Sequence, residues 1–342
     1  LDESGEMLGE MQNKNSLGIV LVLIAVLLLA VMDAIVKVLL DDGYSVLQVL
    51  AVRSWLIVPV MSIWVWRVLP KGALRTGRPV LHFIRVVMGF FAPFFFFSSL
   101  ETLHLADATV IFYGATFIMT ALSVPVLKEH VGVHRWMAVI VGFIGVLIAA
   151  NPSGDFMQSG ALFAILASFA YAAFMLITRW MGPGEGAFKQ VFFFHIWIAV
   201  VATALSISDF KPMDATDVGL VAVAGTLAVV AHLSLTRAFS MAPVGLVAPF
   251  EYSSLVWATL IGFAVWGHIP GTETLVGAVI VVFSGLYLMN REARTKRLET
   301  AESINVAANM TEGAPPPVAV PLPASLTTGC TRDDDGKEQG KL

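Results

Sequence analysis

The chain has 342 residues, of which 57% are hydrophobic and 13% charged, and its formal net charge is -4. Soluble domains carry roughly 25% charged residues, so the composition excludes a soluble globular protein, points to no nucleic-acid partner and requires that most of the chain be solvated by the lipid bilayer. The single cysteine, Cys330, excludes an intrachain disulfide.

Residues 1–16 are polar and acidic and lack the basic, apolar, small-residue layout of a cleaved signal, so they read as an N-terminal tail before a retained first helix. A chain opening on Leu1 fits an alternative start codon or a trimmed chain, with Met7 and Met11 as other starts. Ten apolar runs of spanning length follow, near 17–40, 44–68, 80–100, 104–126, 134–150, 160–180, 189–208, 217–239, 244–267 and 272–290. The links at 41–43, 101–103 and 269–271 are long enough only for turns between antiparallel helices. From Arg291 the composition turns basic, then proline-rich and acidic, and residues 291–342 are expected to be a disordered tail.

Lys and Arg set the orientation. The second connection holds Arg67, Lys71, Arg75 and Arg78, the fourth Lys128 and Arg135, the sixth Arg179 and Lys189, and the eighth begins with Arg237. The odd-numbered connections hold only Lys211, with Lys37 just inside a helix end. Both termini are therefore expected in the cytoplasm, in an inner (plasma) membrane. Trp64, Trp66, Trp136, Trp180 and Trp266 fall near span ends, as interfacial anchors do; Trp55, Trp197 and Trp257 lie deeper, to line a cavity or to pack.

The chain repeats itself. Gln48, Arg53 and Trp55 open the second span with the spacing that Gln190, His195 and Trp197 have in the seventh. Gly89 precedes Ala106 by 17 residues and Gly225 precedes Ala242 by 17; Gly145 and Gly285 close the fifth and tenth spans in matching contexts. The halves are thus 17–150 and 160–290. Five spans is an odd number, so the second half enters from the opposite side. The expected fold is an all-α polytopic membrane protein, ten transmembrane helices in two inverted five-helix repeats, with a solute site at the repeat interface near mid-membrane.

The sequence resembles the drug/metabolite transporter superfamily in its EamA-type branch. The residues that carry the resemblance are Leu105-Ala106-Asp107-Ala108, Lys128-Glu129-His130-Val131-Gly132 with Trp136, Gly142 to Val146, Asn151-Pro152 and Gly285 to Glu292. It covers about residues 17–290. The resemblance implies a central cavity between the halves, peripheral fifth and tenth helices, and transport of amino acids, nucleotide-like metabolites, vitamins or drugs in either direction. Met32-Asp33 with Lys37, Arg53 and Pro249 to Tyr252 look most like the branches with S-adenosylmethionine and riboflavin importers. The chain departs from the family at His268, where the second half often has an acid matching Glu129.

Ionisable residues at membrane depth are costly and mark solute or proton paths. Glu251, beside Pro249 and Phe250 in a span with a stripe of small residues, is the leading candidate, for proton coupling or for recognising a cationic group. Asp33 and Arg53 reach similar depths, ~20–24 Å from the inner interface at 1.5 Å per residue, and form either a static ion pair or a site where Arg53 grips an anionic group; Lys37 competes for Asp33. His232 and Glu251 lie ~10 Å deep, with Arg85 either joining them or snorkelling to the interface. His195 completes the ionisable set. Phe90, Phe91 and Phe94 to Phe97 around Pro93 are either packing or, with Tyr113 and Tyr171, a stacking surface for a flat ring. Pro59, Pro93 and Pro249 bend their spans and free carbonyls.

The sequence has no metal-spaced His/Cys cluster, phosphate-binding glycine loop or nucleophile elbow. It reads as a secondary carrier of a small-molecule solute, not an enzyme, needing no cofactor, with protons as a candidate coupling ion and a homodimer allowed. A lipid-modifying membrane enzyme and a passive channel are the alternatives.

Overall fold

The computed structural model describes residues 2–68, 74–128, 132–150, 159–181, 187–241 and 244–291, and every regular element among them is helical. Lys71, Glu129 to Val131, Asn151-Pro152, Ala242 and the tail from residue 292 lie outside the described residues. The helices are α1 (Asp2–Asp41), α2 (Val46–Val68), α3 (Pro79–Leu100), α4 (Leu105–Phe112), α5 (Gly114–Leu127), α6 (Val133–Ala150), α7 (Ser159–Met181), α8 (Ala187–Ser206), α9 (Ala215–Met241), α10 (Val244–Val247) and α11 (Ser253–Trp266). A last helix, α12 (Thr272–Arg291), completes the set. Helix α1 begins at Asp2, so the polar opening of the chain continues the first span as helix.

Nine helical segments among the described residues are long and apolar enough to cross a bilayer, α4 and α5 counting together as Leu105–Leu127. The chain is an all-α polytopic membrane protein. The remaining stretch of the ten expected is the ninth, which is broken: α10 gives way to a 3-10 segment, Ala248–Tyr252, before α11 resumes. Pro249 explains it, because its ring supplies no N–H and clashes with the preceding turn.

Packing follows the repeat. Helix α1 lies along α9, α3 along α7 and α2 along α8. First and sixth spans are equivalent, as are third and eighth, so the α1–α9 and α3–α7 contacts are one contact made twice, while α2–α8 joins two equivalent helices. That pattern is consistent with two inverted five-helix halves. Helices α6 and α12 touch through glycines: a Cβ on Gly277 would lie 2.6 Å from the Gly145 carbonyl oxygen. The other face of α6 leaves Val133, Met137, Ile140, Val141, Ile144 and Leu147 exposed, as a lipid-facing helix does.

At the end holding the α1–α2 turn, polar side chains tie the first half to the second. Trp266 Nε1 donates to Asp41 Oδ2 at 2.8 Å, and Thr274 Oγ1 donates to Asp107 Oδ1 at 2.7 Å. The rings of His104 and His268 stack with centroids 3.3 Å apart. Tyr44 donates to Asp217, and the Lys211 N–H donates to Gln48 Oε1 at 3.0 Å. His268, the family departure, thus lies in this junction.

Candidate solute site

Two helix interruptions meet inside the bundle. The fourth span, continuous in the hydropathy pattern, is interrupted at Tyr113 between α4 and α5. The backbone groups loosened there find partners nearby: Ser168 of α7 donates its hydroxyl toward the carbonyls of Ile111 and Phe112, each at 3.2 Å, and Thr116 N–H turns back to Tyr113 O. The Tyr113 backbone keeps helical dihedrals, φ -61° and ψ -13°, so the interruption is a local shift in hydrogen bonding that these partners accommodate. Tyr113 then reaches the second interruption. Its hydroxyl donates to the Glu251 carbonyl oxygen at 2.7 Å and lies 2.7 Å from Ser254 Oγ.

Around that contact sits a group of hydroxylated rings. The Tyr113 and Tyr252 rings lie 4.8 Å apart, and Tyr252 bonds Thr116. Tyr113, Tyr171 and Tyr252 all sense the Glu251 carboxyl electrostatically. Thr116 and Tyr252 are separated by 136 residues, the separation of Gly89 from Gly225 and of Ala106 from Ala242. Equivalent positions of the two halves therefore touch, which places this group at the pseudo-twofold between them. The repeat was legible in the sequence; that Tyr252 belongs to the site was not, although its position opposite Thr116 in the repeat was the available signal.

A second group lies on α1, α2, α8 and α9. Asp33, His195 and His232 each sense the charge of Arg53. The expected direct ion pair is not formed. The Arg53 guanidinium has Met32 Sδ at 3.5 Å and lies over the Phe97 ring at 5.4 Å, whereas Asp33 interacts with it only through space. Lys37 does not take Asp33 either: its ammonium donates to the Leu100 carbonyl at 2.6 Å and lies 3.7 Å from Asp41. Asp33 and Arg53 sit on consecutive helices, and the Arg53 guanidinium rests against Met32 of α1 and Phe97 of α3 instead.

Arg85 and the surroundings of Glu251 correct the expectations, whereas Trp257 and the phenylalanine run take the packing alternative. Arg85 does not snorkel: it is 4% exposed and donates to Thr178 Oγ1 at 2.8 Å and to the Gln190 carbonyl at 3.0 Å, with Phe174 beneath it at 4.3 Å. Partners on two neighbouring helices make the reach to the interface unnecessary. Glu251 gathers tyrosines, not His232 and Arg85; the His232 ring nitrogen Nδ1 lies 2.7 Å from the Ala228 carbonyl of its own helix. Trp257 packs with Val22, Val26 and Phe250 in a separate apolar cluster. The phenylalanine run packs largely against itself, with Phe90 stacked on Phe94, Phe91 on Phe95, and Phe95 on Phe163 of α7.

The two groups are joined by aromatic rings: His195 contacts Phe194, Phe194 contacts Phe174, and Phe174 contacts Tyr171. These rings form a continuous aromatic wall between the two groups.

Residues 16–151 match the EamA-like transporter family. An S-adenosylmethionine uptake transporter of Rickettsia bellii is 26% identical over 224 residues, covering 66% of this chain and 77% of that protein. A riboflavin transporter of Vibrio cholerae is 26% identical over 236 residues, 67% and 78% of the two chains. Another riboflavin transporter, of Rhizobium johnstonii, is 28% identical over 291 residues, 78% of this chain and 94% of that one. A solved crystal structure shares the fold with a TM-score of 0.55 and 18% identity, over 82% of this chain and 99% of the other. Residues 16–151 thus match an EamA-like transporter domain, and the relatives are consistent with the drug/metabolite transporter superfamily.

Proposed function

We propose that this chain, a multi-pass membrane protein with an EamA-like transporter domain, is a secondary carrier. It moves a small metabolite across the inner membrane by alternating access, with both termini in the cytoplasm. The relatives named for S-adenosylmethionine and riboflavin support a metabolite as cargo. The observation that carries the reading is the Tyr113–Glu251 contact. Two interrupted helices, one from each half, meet there among polar and aromatic side chains, at the kind of repeat interface where alternating-access carriers hold their cargo. Glu251 is the residue proposed to couple occupancy to the switch, by exchanging a proton or by holding a cationic group.

Uptake into liposomes containing the purified protein tests this, with labelled S-adenosylmethionine, riboflavin, phenylalanine and adenosine, with and without a pH gradient. At least one solute should enter saturably and show counter-transport, which a passive channel would not. Glu251→Gln should abolish the response to the pH gradient or the recognition of cationic solutes. Tyr113→Phe, which leaves the Glu251 carbonyl without its donor, should lower uptake roughly five- to a hundredfold. Uptake by Glu251→Gln indistinguishable from wild type, pH response included, would remove Glu251 from the mechanism.

A further inference from the structure

Arg53 is a buried cation with no oxygen acceptor among the described residues. It is 6% exposed, its Nε has no hydrogen-bond partner, and its polar contact is the Met32 thioether, a weak acceptor. A guanidinium carries N–H donors in a rigid fork and at membrane depth is costly unless they are met. Asp33 lowers that cost through space but does not occupy the fork. His195, equally deep at 9% exposed, also has an unpartnered nitrogen, Nδ1.

Arg53 and His195 are equivalent residues of the two repeats, five positions after Gln48 and Gln190 and two before Trp55 and Trp197. Helices α2 and α8 pack on each other, with Trp55 Nε1 donating to Thr203 Oγ1 at 2.9 Å, and His195 senses the Arg53 charge. The pair thus brackets the same pseudo-twofold that Thr116 and Tyr252 mark, at the far end of the aromatic wall.

We infer that Arg53, with His195, is an anion subsite of the solute chamber and that the transported solute carries a monoanionic carboxylate. The inference rests on the carrier reading. A carboxylate matches the guanidinium fork with two parallel hydrogen bonds. Asp33 already offsets one charge, so a dianion would leave two uncompensated negative charges at membrane depth, where a monoanion leaves one to be shared with the imidazoles of His195 and His232. The aromatic wall gives the rest of the solute a flat surface to lie on.

The same liposomes decide it, with adenosine 5′-monophosphate added as the dianion. Phenylalanine or S-adenosylmethionine, which bear a carboxylate, should enter, and riboflavin, adenosine and the monophosphate should not. Unlabelled phenylalaninamide should compete at least roughly tenfold more weakly than phenylalanine. Arg53→Gln should lower uptake at least roughly tenfold, and Arg53→Lys should recover part of it, since a point charge remains without the fork. Because Arg53→Gln leaves Asp33 unbalanced, Asp33→Asn/Arg53→Gln serves as the folded, charge-neutral counterpart and should also fail to transport. Entry of riboflavin or adenosine, or unchanged uptake by the double variant, overturns the subsite and leaves the carrier reading standing. No entry of any solute removes the carrier reading and the subsite with it.

Discussion

Tyr252 occupies a notch that one glycine provides. A Cβ on Gly285 of α12 would overlap the Tyr252 hydroxyl, and its ring otherwise packs on Tyr113. Gly285→Ala therefore has to push Tyr252 out of register with Thr116 and Tyr113, an overpacking that costs about 1–3 kcal/mol. The variant should melt at lower temperature in detergent and carry solute more slowly. Adding Tyr252→Phe removes the overlapping oxygen but leaves ring Cζ 2.5 Å from the new Cβ, so it should recover part of the melting temperature and little transport, because the hydroxyl that faces Thr116 is gone. Equal melting and uptake for Gly285→Ala and wild type would show that the ring has room to move. The sequence marked Gly285 as a repeat anchor, but a glycine's partner is whatever the fold brings against it, and Tyr252 comes from another span. Arg53 differs again. Its depth was legible, but its avoidance of Asp33 depends on the rotamer that packing against Phe97 and Gly225 allows.

At the scale of elements, the spans themselves were legible because lipid permits little besides long apolar helices. The break at Pro249 was legible too, since proline removes a donor. The break at Tyr113 was not: no proline marks it, and Ser168, a residue of the other half, bonds the carbonyls beside it. Turns carry their own chemistry, and His104, between α3 and α4, supplies a pH dependence. Burial first, then His268 and Lys37, disfavours its charged form, while Asp107 and Asp41 partly offset this, so its pKa lies below the ordinary value of about 6.5. A lowered pKa means that the closed junction favours neutral His104. The stability so contributed is fully present above the ordinary value and is lost as pH falls through the lowered one. Acidification from about pH 7.5 to about pH 5 should speed hydrogen exchange in the turns at 101–104 and 267–271. His104→Gln should exchange at a rate that changes less with pH. Equal pH dependence in both proteins would assign the effect to other groups.

For the whole molecule, the two ends of the bundle differ in how their cations are balanced. At the end of the α1–α2 turn, Lys37 lies 3.7 Å from Asp41, while Lys211 donates to the Asp42 carbonyl at 2.6 Å and sits over the Tyr44 ring, which in turn bonds Asp217. Both lysines there are held among acidic residues and carbonyls. The opposite end carries Arg67, Arg75, Arg78, Lys189 and Arg237, with Arg78 and Lys189 donating to the carbonyls of Trp180 and Arg75 and no Asp or Glu in residues 67–78. Cation excess near span ends directs that end to the cytoplasm. An even number of crossings, counting the broken ninth stretch as one, then returns the chain to the side on which it began. Cys330, the only cysteine in the sequence, is a built-in reporter. A membrane-impermeant maleimide should leave it unmodified in intact cells and modify it once the membrane is permeabilised. Cys330→Ser should abolish the signal in both conditions. Labelling in intact cells would put the tail outside, which requires either an odd number of crossings or the reverse orientation. A cysteine placed at Asp42 in the Cys330→Ser background separates these. Asp42→Cys reached from outside along with the tail means that the count is odd, and Asp42→Cys shielded means that the whole bundle is inverted, with the broken ninth stretch still crossing.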